Sequence, residues 1–232
     1  MTREFLTAEW KHLVMLNYAI DPSLLQPFVP AGTEIDAFEG ETYVSLVGFE
    51  FNRTRVLGFA VPFHRSFEEV NLRFYVRRGD RRGVVFIKEL VPKRAVAFVA
   101  RWIYGENYSC VAMSHRIAPG TAEYAWGTDA ARCLIQVETA GEGFLPPDGS
   151  LAQFITEHYW GYARARSGCR EYEVRHPRWT VASARTAGFS GDATPYYGPA
   201  FAKILAREPD SAFLAEGSPV TVFKAAKIAV TG

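Results

Sequence analysis

The sequence predicts an α+β protein, mainly antiparallel β, with a large sheet curled into a barrel and peripheral helices around it. Three observations carry this. Runs that alternate with period two, or that are rich in β-branched and aromatic residues, recur along the chain between short turns marked by Gly and Pro. Aromatic residues abound, with 17 Phe, 11 Tyr and 5 Trp, and such side chains favour strands and often wall ligand pockets. Helical patterns are few and irregularly placed, not alternating with strands as a parallel α/β sheet requires. No repeat, low-complexity tract or linker interrupts residues 1–232, so a single domain is expected.

The elements follow in order. Residues 10–19 are consistent with a short helix, and DPSLLQPFVP with a helical turn opened at Ser23 and closed by Pro30. TYVSLVGFEF (42–51) reads as a strand. Over 69–77 the alternation is clean: Val70, Leu72, Phe74 and Val76 share one face, and Glu69, Asn71, Arg73, Tyr75 and Arg77 the other. RRGDRRG (77–83) is a hairpin turn with Gly-Asp at its tip, leading antiparallel into VVFIKELV. Pro92 stops that strand. AVAFVARWIYG (95–105) reads as an apolar helix ended by Gly105. Strand-like runs resume at 110–117, 131–138, 171–175, 181–189 and 219–230. Ser150 and Gln153 form a capping box for a helix over 150–166, with Leu151, Phe154, Ile155, His158 and Tyr162 on one side and Arg164 and Arg166 at its negative end. A last helix, 199–208, has Pro199 at its first position and Pro209 beyond its end.

Composition excludes several function classes. The formal net charge is +1, unlike the basic excess of a nucleic-acid binder. No stretch approaches the ~20 apolar residues of a membrane span. The cysteines, Cys110, Cys133 and Cys169, form no CxxC, which fits a reduced, cytoplasmic protein. His12, His64, His115, His158 and His176 are scattered without zinc-ligand spacing, and the GxGxxG, GxxxxGK[ST] and GxSxG patterns are absent. No metal or cofactor is therefore expected, nor a nucleic-acid or membrane partner.

Among ionisable groups, Glu69, Asn71 and Arg73 stand out. Same-face neighbours lie ~6.6 Å apart along a strand, which puts Glu69 and Arg73 ~13 Å apart with Asn71 between them. The three either meet water or contact one small polar ligand. A guanidinium fork suits a carboxylate, and a glutamate in an apolar pocket becomes a useful acid or base near neutrality. His64, at a loop-to-strand entry, titrates in the right range for acid–base work or simply hydrogen-bonds. His158 reads as a core histidine among aromatics. Glu171, Glu173 and Arg175 share one strand face, with the same choice between solvent and site. Arg77, Arg78, Arg81 and Arg82 form a basic hairpin, either a solvated tip or a phosphate grip.

Taken together, VPAGTEIDAFEGETYVSLVGFEF, PFHRSFEEVNLRFYVRR, RRGVVFIKELVP, YGENY, TEHYWGY, HPRW and AEGSPV resemble the YqjF-like family of uncharacterised bacterial proteins, from about Trp10 to Val222. That family is similar in fold to acetoacetate decarboxylase, which implies a β-barrel or cone around a central cavity. Acetoacetate decarboxylase uses a Schiff-base lysine activated by a neighbouring cation. The corresponding stretch here, ARWIYGENYSC, carries Glu106, Asn107 and Tyr108 and no lysine. The resemblance also places Glu69 (or Glu68) where the family has a cavity-facing glutamate. It implies a pocket for a small carboxylate- or carbonyl-bearing ligand, with Glu69, Arg73 and His64 as catalytic residues and Asn71, Glu106, Asn107 and Tyr108 as ligand-binding ones. Lyase, hydratase or isomerase chemistry without an imine is one expected function, and a non-catalytic binding module on the same barrel is the other. Lys88, sharing a strand face with Phe86 and Leu90, and Lys224 are the lysines able to enter the cavity. A homodimer, associating through exposed sheet faces, is the expected assembly.

Overall fold

The computed structural model describes residues 3–60, 62–128, 131–165 and 168–228. In chain order the elements are β1 (Glu4–Ala19), α1 (Pro22–Leu25), β2 (Glu34–Ile35), β3 (Tyr43–Val56), β4 (Phe59–Ala60), β5 (Phe67–Arg78), β6 (Arg81–Val91), α2 (Arg94–Tyr104), β7 (Tyr108–Cys110) and β8 (Met113–Ala118). They continue with β9 (Thr121–Thr128), β10 (Ala131–Thr139), α3 (Leu151–Thr156), β11 (Trp160–Arg164), β12 (Cys169–Arg175), β13 (Val181–Ser190), α4 (Thr194–Leu205), β14 (Ser211–Phe223) and β15 (Ala226–Ile228).

Pairing runs β12-β11-β6-β5-β3-β1-β14, and β12 returns to β14 with Val174 opposite Val222 and Arg175 opposite Thr221. Seven strands thus close into a ring. All ring pairs are antiparallel except β11 with β6. From β14 the sheet continues through β13, β10, β9 and β8. The outer apolar faces of the ring strands pack with this limb and α4: Val14, Leu16, Leu46, Val70, Leu72 and Phe74 share one buried cluster with Tyr124, Trp126, Ile135 and Phe201. A second cluster, including Met15, Val47, Phe49, Phe51, Phe67 and Tyr75, belongs to the inner side of the ring.

The predicted hairpin and strands are present, except that the run at 110–117 divides between β7 and β8 and that at 219–230 between β14 and β15, with 229–230 outside the described residues; Val70, Leu72, Phe74 and Val76 do share the outer face. Two helix expectations fail. Residues 10–19 belong to the 16-residue strand β1. Both of its faces are buried, Leu13 and Met15 inward and Val14 and Leu16 outward. The apolar run is therefore continuous, and periodicity alone does not separate such a strand from a helix. The helix expected over 150–166 stops at Thr156. Its capping survives, with the Gln153 amide donating to Ser150 Oγ at 3.2 Å. Beyond it, Trp160–Arg164 is strand β11, wedged between β6 and β12, so sheet pairing overrides the local pattern. Arg164 therefore lies in a strand, and Arg166 falls outside the described residues. Thr121–Thr128 is a strand that the pattern reading did not single out. The last helix starts earlier, at Thr194, and kinks at Gly198 (φ 80°) before Pro199.

One irregularity matters for the site. In the β5–β6 pair, Leu72 opposes Lys88 but Arg73 opposes Phe86. Ile87 is thus an extra residue, a β-bulge, and Ile87 and Lys88 turn to the same side of the sheet.

Candidate functional site

The ring encloses a cavity of about 210 Å³. Its wall is mostly aromatic and aliphatic: Trp10 lies edge-on to Phe49, Phe51 and Trp179, with ring centres 5.3, 5.8 and 6.1 Å away. Helix α2 closes one side through Ala95, Val96, Val99, Ala100 and Tyr104, while Phe98 and Trp102 on its other face are exposed.

Into this apolar space project Glu69, Asn71, Arg73, Glu89, Glu106 and Tyr108. Strand alternation puts the first three there from β5. Asn71 is directly opposite Glu89 on β6, and Glu89 is opposite Tyr108 on β7. The Asn71 amide nitrogen donates to Glu69 Oε1 and the Tyr108 hydroxyl to Glu69 Oε2, each at 3.0 Å. The Tyr172 hydroxyl donates to Glu106 Oε1, also at 3.0 Å. Gly161, opposite Tyr172 in the β11–β12 pair, leaves room for this ring: a Cβ there would come within 2.1 Å of it.

Three buried carboxyls thus share one wall. Burial raises the Glu69 pKa to about 7, against the opposing pull of the Asn71 and Tyr108 hydrogen bonds and the Arg73 charge. Burial also raises Glu106 to about 8, with Tyr172 opposing and the Glu69 charge adding to the rise. Glu89 is raised by burial and by the negative charge of Glu106 and Glu69. Carboxyls in this range exchange protons readily at neutral pH. The Tyr108 and Tyr172 hydroxyls, buried beside these carboxylates, are held well above the usual phenol range.

Among the described residues Arg73, 8% exposed, is the one lysine or arginine on the wall. It donates to the Ile155 carbonyl at 3.3 Å, and its Nε has no hydrogen-bond partner. Among the described residues no carboxylate lies within ion-pair distance of it. An unpaired guanidinium in an apolar pocket is a receptor for an anion. His158 lines the wall nearby, its ring centre 4.6 Å from that of Tyr75, and burial with the Arg82 and Arg73 charges pushes its pKa well below the usual value.

Of the residues singled out from the sequence, Glu69, Asn71, Arg73, Glu106 and Tyr108 come together on this wall. His64 stands at the rim, half-buried, its Nδ1–H donating to the Pro62 carbonyl at 2.8 Å. Asn107 does not join them. It falls between Glu106 and Tyr108 in an extended segment, so it faces outward, where its side-chain oxygen accepts from Lys88 Nζ at 3.1 Å. Lys88 is on that side because of the bulge, and Lys224 is exposed just past the end of β14. Among the described residues no lysine lines the cavity. Glu171, Glu173 and Arg175 face away from it, Glu171 pairing with Arg81 and Arg78, and Arg175 with Glu173. With Arg77 on Glu34 and Arg82 on Asp36, each arginine of the hairpin has a carboxylate partner, which answers the charge a phosphate would have met. Glu89 and Tyr172 are the functional candidates that pattern reading missed. A glutamate inside the apolar run VVFIKELV was the available signal, since a charge is seldom buried without a use.

Residues 7–219 match the model of DUF2071, described as an uncharacterized conserved protein (COG2071). The chain belongs to this family. The DUF2071 chain is 24% identical to the uncharacterized protein YqjF of Bacillus subtilis (strain 168) over 179 residues, covering 75% of this chain and 74% of that one. Among solved structures it is similar to acetoacetate decarboxylase from Legionella pneumophila subsp. pneumophila str. Philadelphia 1, with TM-score 0.73 and 11% identity over 97% of this chain and 87% of that one. It is also similar to an acetoacetate decarboxylase-like enzyme from Sphingomonas wittichii RW1, with TM-score 0.70 and 12% identity over 99% and 95%. A third is the enduracididine biosynthesis enzyme MppR complexed with pyruvate, with TM-score 0.70 and 12% identity over 98% and 91%. At such identities the likeness establishes an acetoacetate decarboxylase-like fold. Among the described residues no helix is long and apolar enough to cross a membrane, and no group of three or more His, Cys, Asp or Glu is placed to hold a metal ion.

Proposed function

We propose that this DUF2071 protein binds a small carboxylate-bearing carbonyl compound on Arg73 and moves a proton on it with Glu69, as a lyase, hydratase or isomerase that forms no imine. The observation that carries this is Glu69 itself. Its carboxyl, held at about 7, projects into an apolar cavity two same-face positions from an unpaired guanidinium. Tyr108 and Asn71 fix its orientation. Glu106 stands across the wall as a second proton store, and His64, with Nδ1–H committed to a carbonyl, offers Nε2 as a proton acceptor towards solvent. The comparisons support a ligand of this class: a protein of similar fold is known in complex with pyruvate.

The test is deuterium wash-in. Panels of 2-oxo and 3-oxo carboxylates are incubated with the protein in heavy water, and loss of the carbon-bound proton signal is followed by NMR. Exchange is expected for at least one compound and falls ~10²–10⁴-fold in Glu69→Gln, the usual worth of a positioned acid–base group. The lysine-free cavity favours a second reading, a binding module without chemistry. Saturable binding with no exchange would establish that reading in place of the first.

A further inference from the structure

We infer that the wall of Glu69, Glu89 and Glu106 is a second subsite of the same cavity, built for the cationic nitrogen of a ligand whose carboxylate rests on Arg73. The inference rests on the carboxylate reading above and names the other end of the molecule bound. An acidic cluster alone would not justify it. The unfilled atoms do.

The hydrogen bonds inside the cavity leave a defined remainder. Asn71, 2% exposed, spends its amide nitrogen on Glu69, and its Oδ1 has no partner. Glu89, also 2% exposed, has an unpartnered Oε2. At Arg73 the vacant atom is a donor, Nε. Asn71 Oδ1 and the Oε2 of an ionised Glu89 at one end and a donor at the other call for a ligand of opposite layout. A bare carboxylate answers Arg73 and leaves both acceptors dry, and buried polar atoms without partners are costly.

An ammonium or guanidinium has several donors and the right charge. Its site is compact because Asn71 faces Glu89 across β5–β6, Glu89 faces Tyr108 across β6–β7, and Glu69 receives the Tyr108 hydroxyl. Asn71 and Arg73 are consecutive same-face positions, ~6.6 Å apart along the strand. A straight ω-amino acid of four or five carbons bridges that span. At neutral pH, Glu69, held at about 7, is half protonated in the empty cavity and Glu106, held at about 8, mostly so. A bound cation displaces these protons, so binding releases them.

The experiment is calorimetry on the full chain near neutral pH with three probes: 5-aminopentanoate, pentanoate and butylamine. Buffers of different ionisation enthalpy count the protons released. The expected result is that 5-aminopentanoate binds ~10-fold or more tighter than pentanoate and with net proton release. Glu89→Gln or Glu106→Gln removes that gain, while Glu68→Gln, outside the ring, keeps it. Equal affinity for 5-aminopentanoate and pentanoate, or a gain indifferent to both inner variants, overturns the subsite. Butylamine binding that depends on Glu89 while pentanoate fails to bind keeps the subsite and overturns the Arg73 reading. Binding of none of the three overturns both.

Discussion

Glu68 and Glu69 are neighbours on β5 with opposite surroundings. Glu68 points outward to His115 Nδ1 at 2.8 Å. Opposite it on β3, Glu50 meets His12 at 2.7 Å and the other nitrogen of His115 at 3.3 Å. That cluster sits at an open edge, with two imidazoles for two carboxylates. One sheet thickness away, Glu69, Glu89 and Glu106 face two tyrosines, one asparagine and an arginine that pairs with none of them. Residue type is the same on both sides. Water and compensating partners belong to one cluster, protons near neutral pH to the other, and chemistry is expected on the side that lacks compensation.

The difference can be broken by experiment, and the largest effect on binding should come from the guanidinium. Arg73→Met is expected to weaken carboxylate binding by about 1.5–3 kcal/mol, or about 10–100-fold, the worth of a charge-assisted hydrogen bond. Arg77→Met, on a half-exposed side chain paired with Glu34, should change affinity less than about twofold. Isothermal calorimetry measures both, and equal losses would move the anion site out of the cavity.

Next comes the pH dependence of stability. Glu69 titrates at about 7 in the fold and near 4.5 as an unperturbed side chain. Between these values the folded chain holds more protons than the unfolded one. Stability is therefore full below 4.5 and is lost as pH rises through about 7, with Glu106 extending the loss to about 8. Melting temperature of the ligand-free protein should fall across this window. Glu69→Gln should flatten the fall by on the order of 1–3 kcal/mol, and Glu68→Gln should leave the slope in place. Identical slopes in the two variants would put Glu69 in water.

A smaller effect belongs to the outer cluster itself. Glu68→Gln should cost about 0–1 kcal/mol at low ionic strength, and less in high salt. A chemical-denaturation midpoint that ignores salt would show the outer pair to be as sheltered as the inner wall. Smallest of all is an expected zero. Acetoacetate with borohydride should leave the intact mass unchanged, because among the described residues the cavity wall holds no lysine. A stoichiometric adduct on Lys88 would reverse the inner and outer assignments on β6.

How much of this was legible depended on whether a strand had one wet face or two dry ones. On β5 the outer row Val70, Leu72, Phe74 and Val76 and the inner row Glu69, Asn71 and Arg73 alternate without interruption, so the faces could be separated by eye. β1 offers no such contrast, since the run from Leu13 to Leu16 is buried throughout, and a helix was the natural misreading. At 156–164 the deciding partners, β6 and β12, lie far away in sequence. The resemblance supplies the cavity, because alternation alone favours water over a pocket for the Glu69 face. Asn107 was misplaced by a single position in an alternating segment, and Lys88 by the bulge.

That bulge has a meaning beyond geometry. A strand is a parity counter: odd positions go to one side, even positions to the other. Ile87 advances the count by one. Were the same residues to run straight through Ile87 with no bulge, every residue beyond would exchange sides, taking the carboxyl of Glu89 out of the ring and the amine of Lys88 in. An acid wall and an amine wall are thus separated in this fold by one break in the alternation of a single strand. A chain whose β6 carries these residues without the bulge is the place to look for imine chemistry on an otherwise unchanged scaffold.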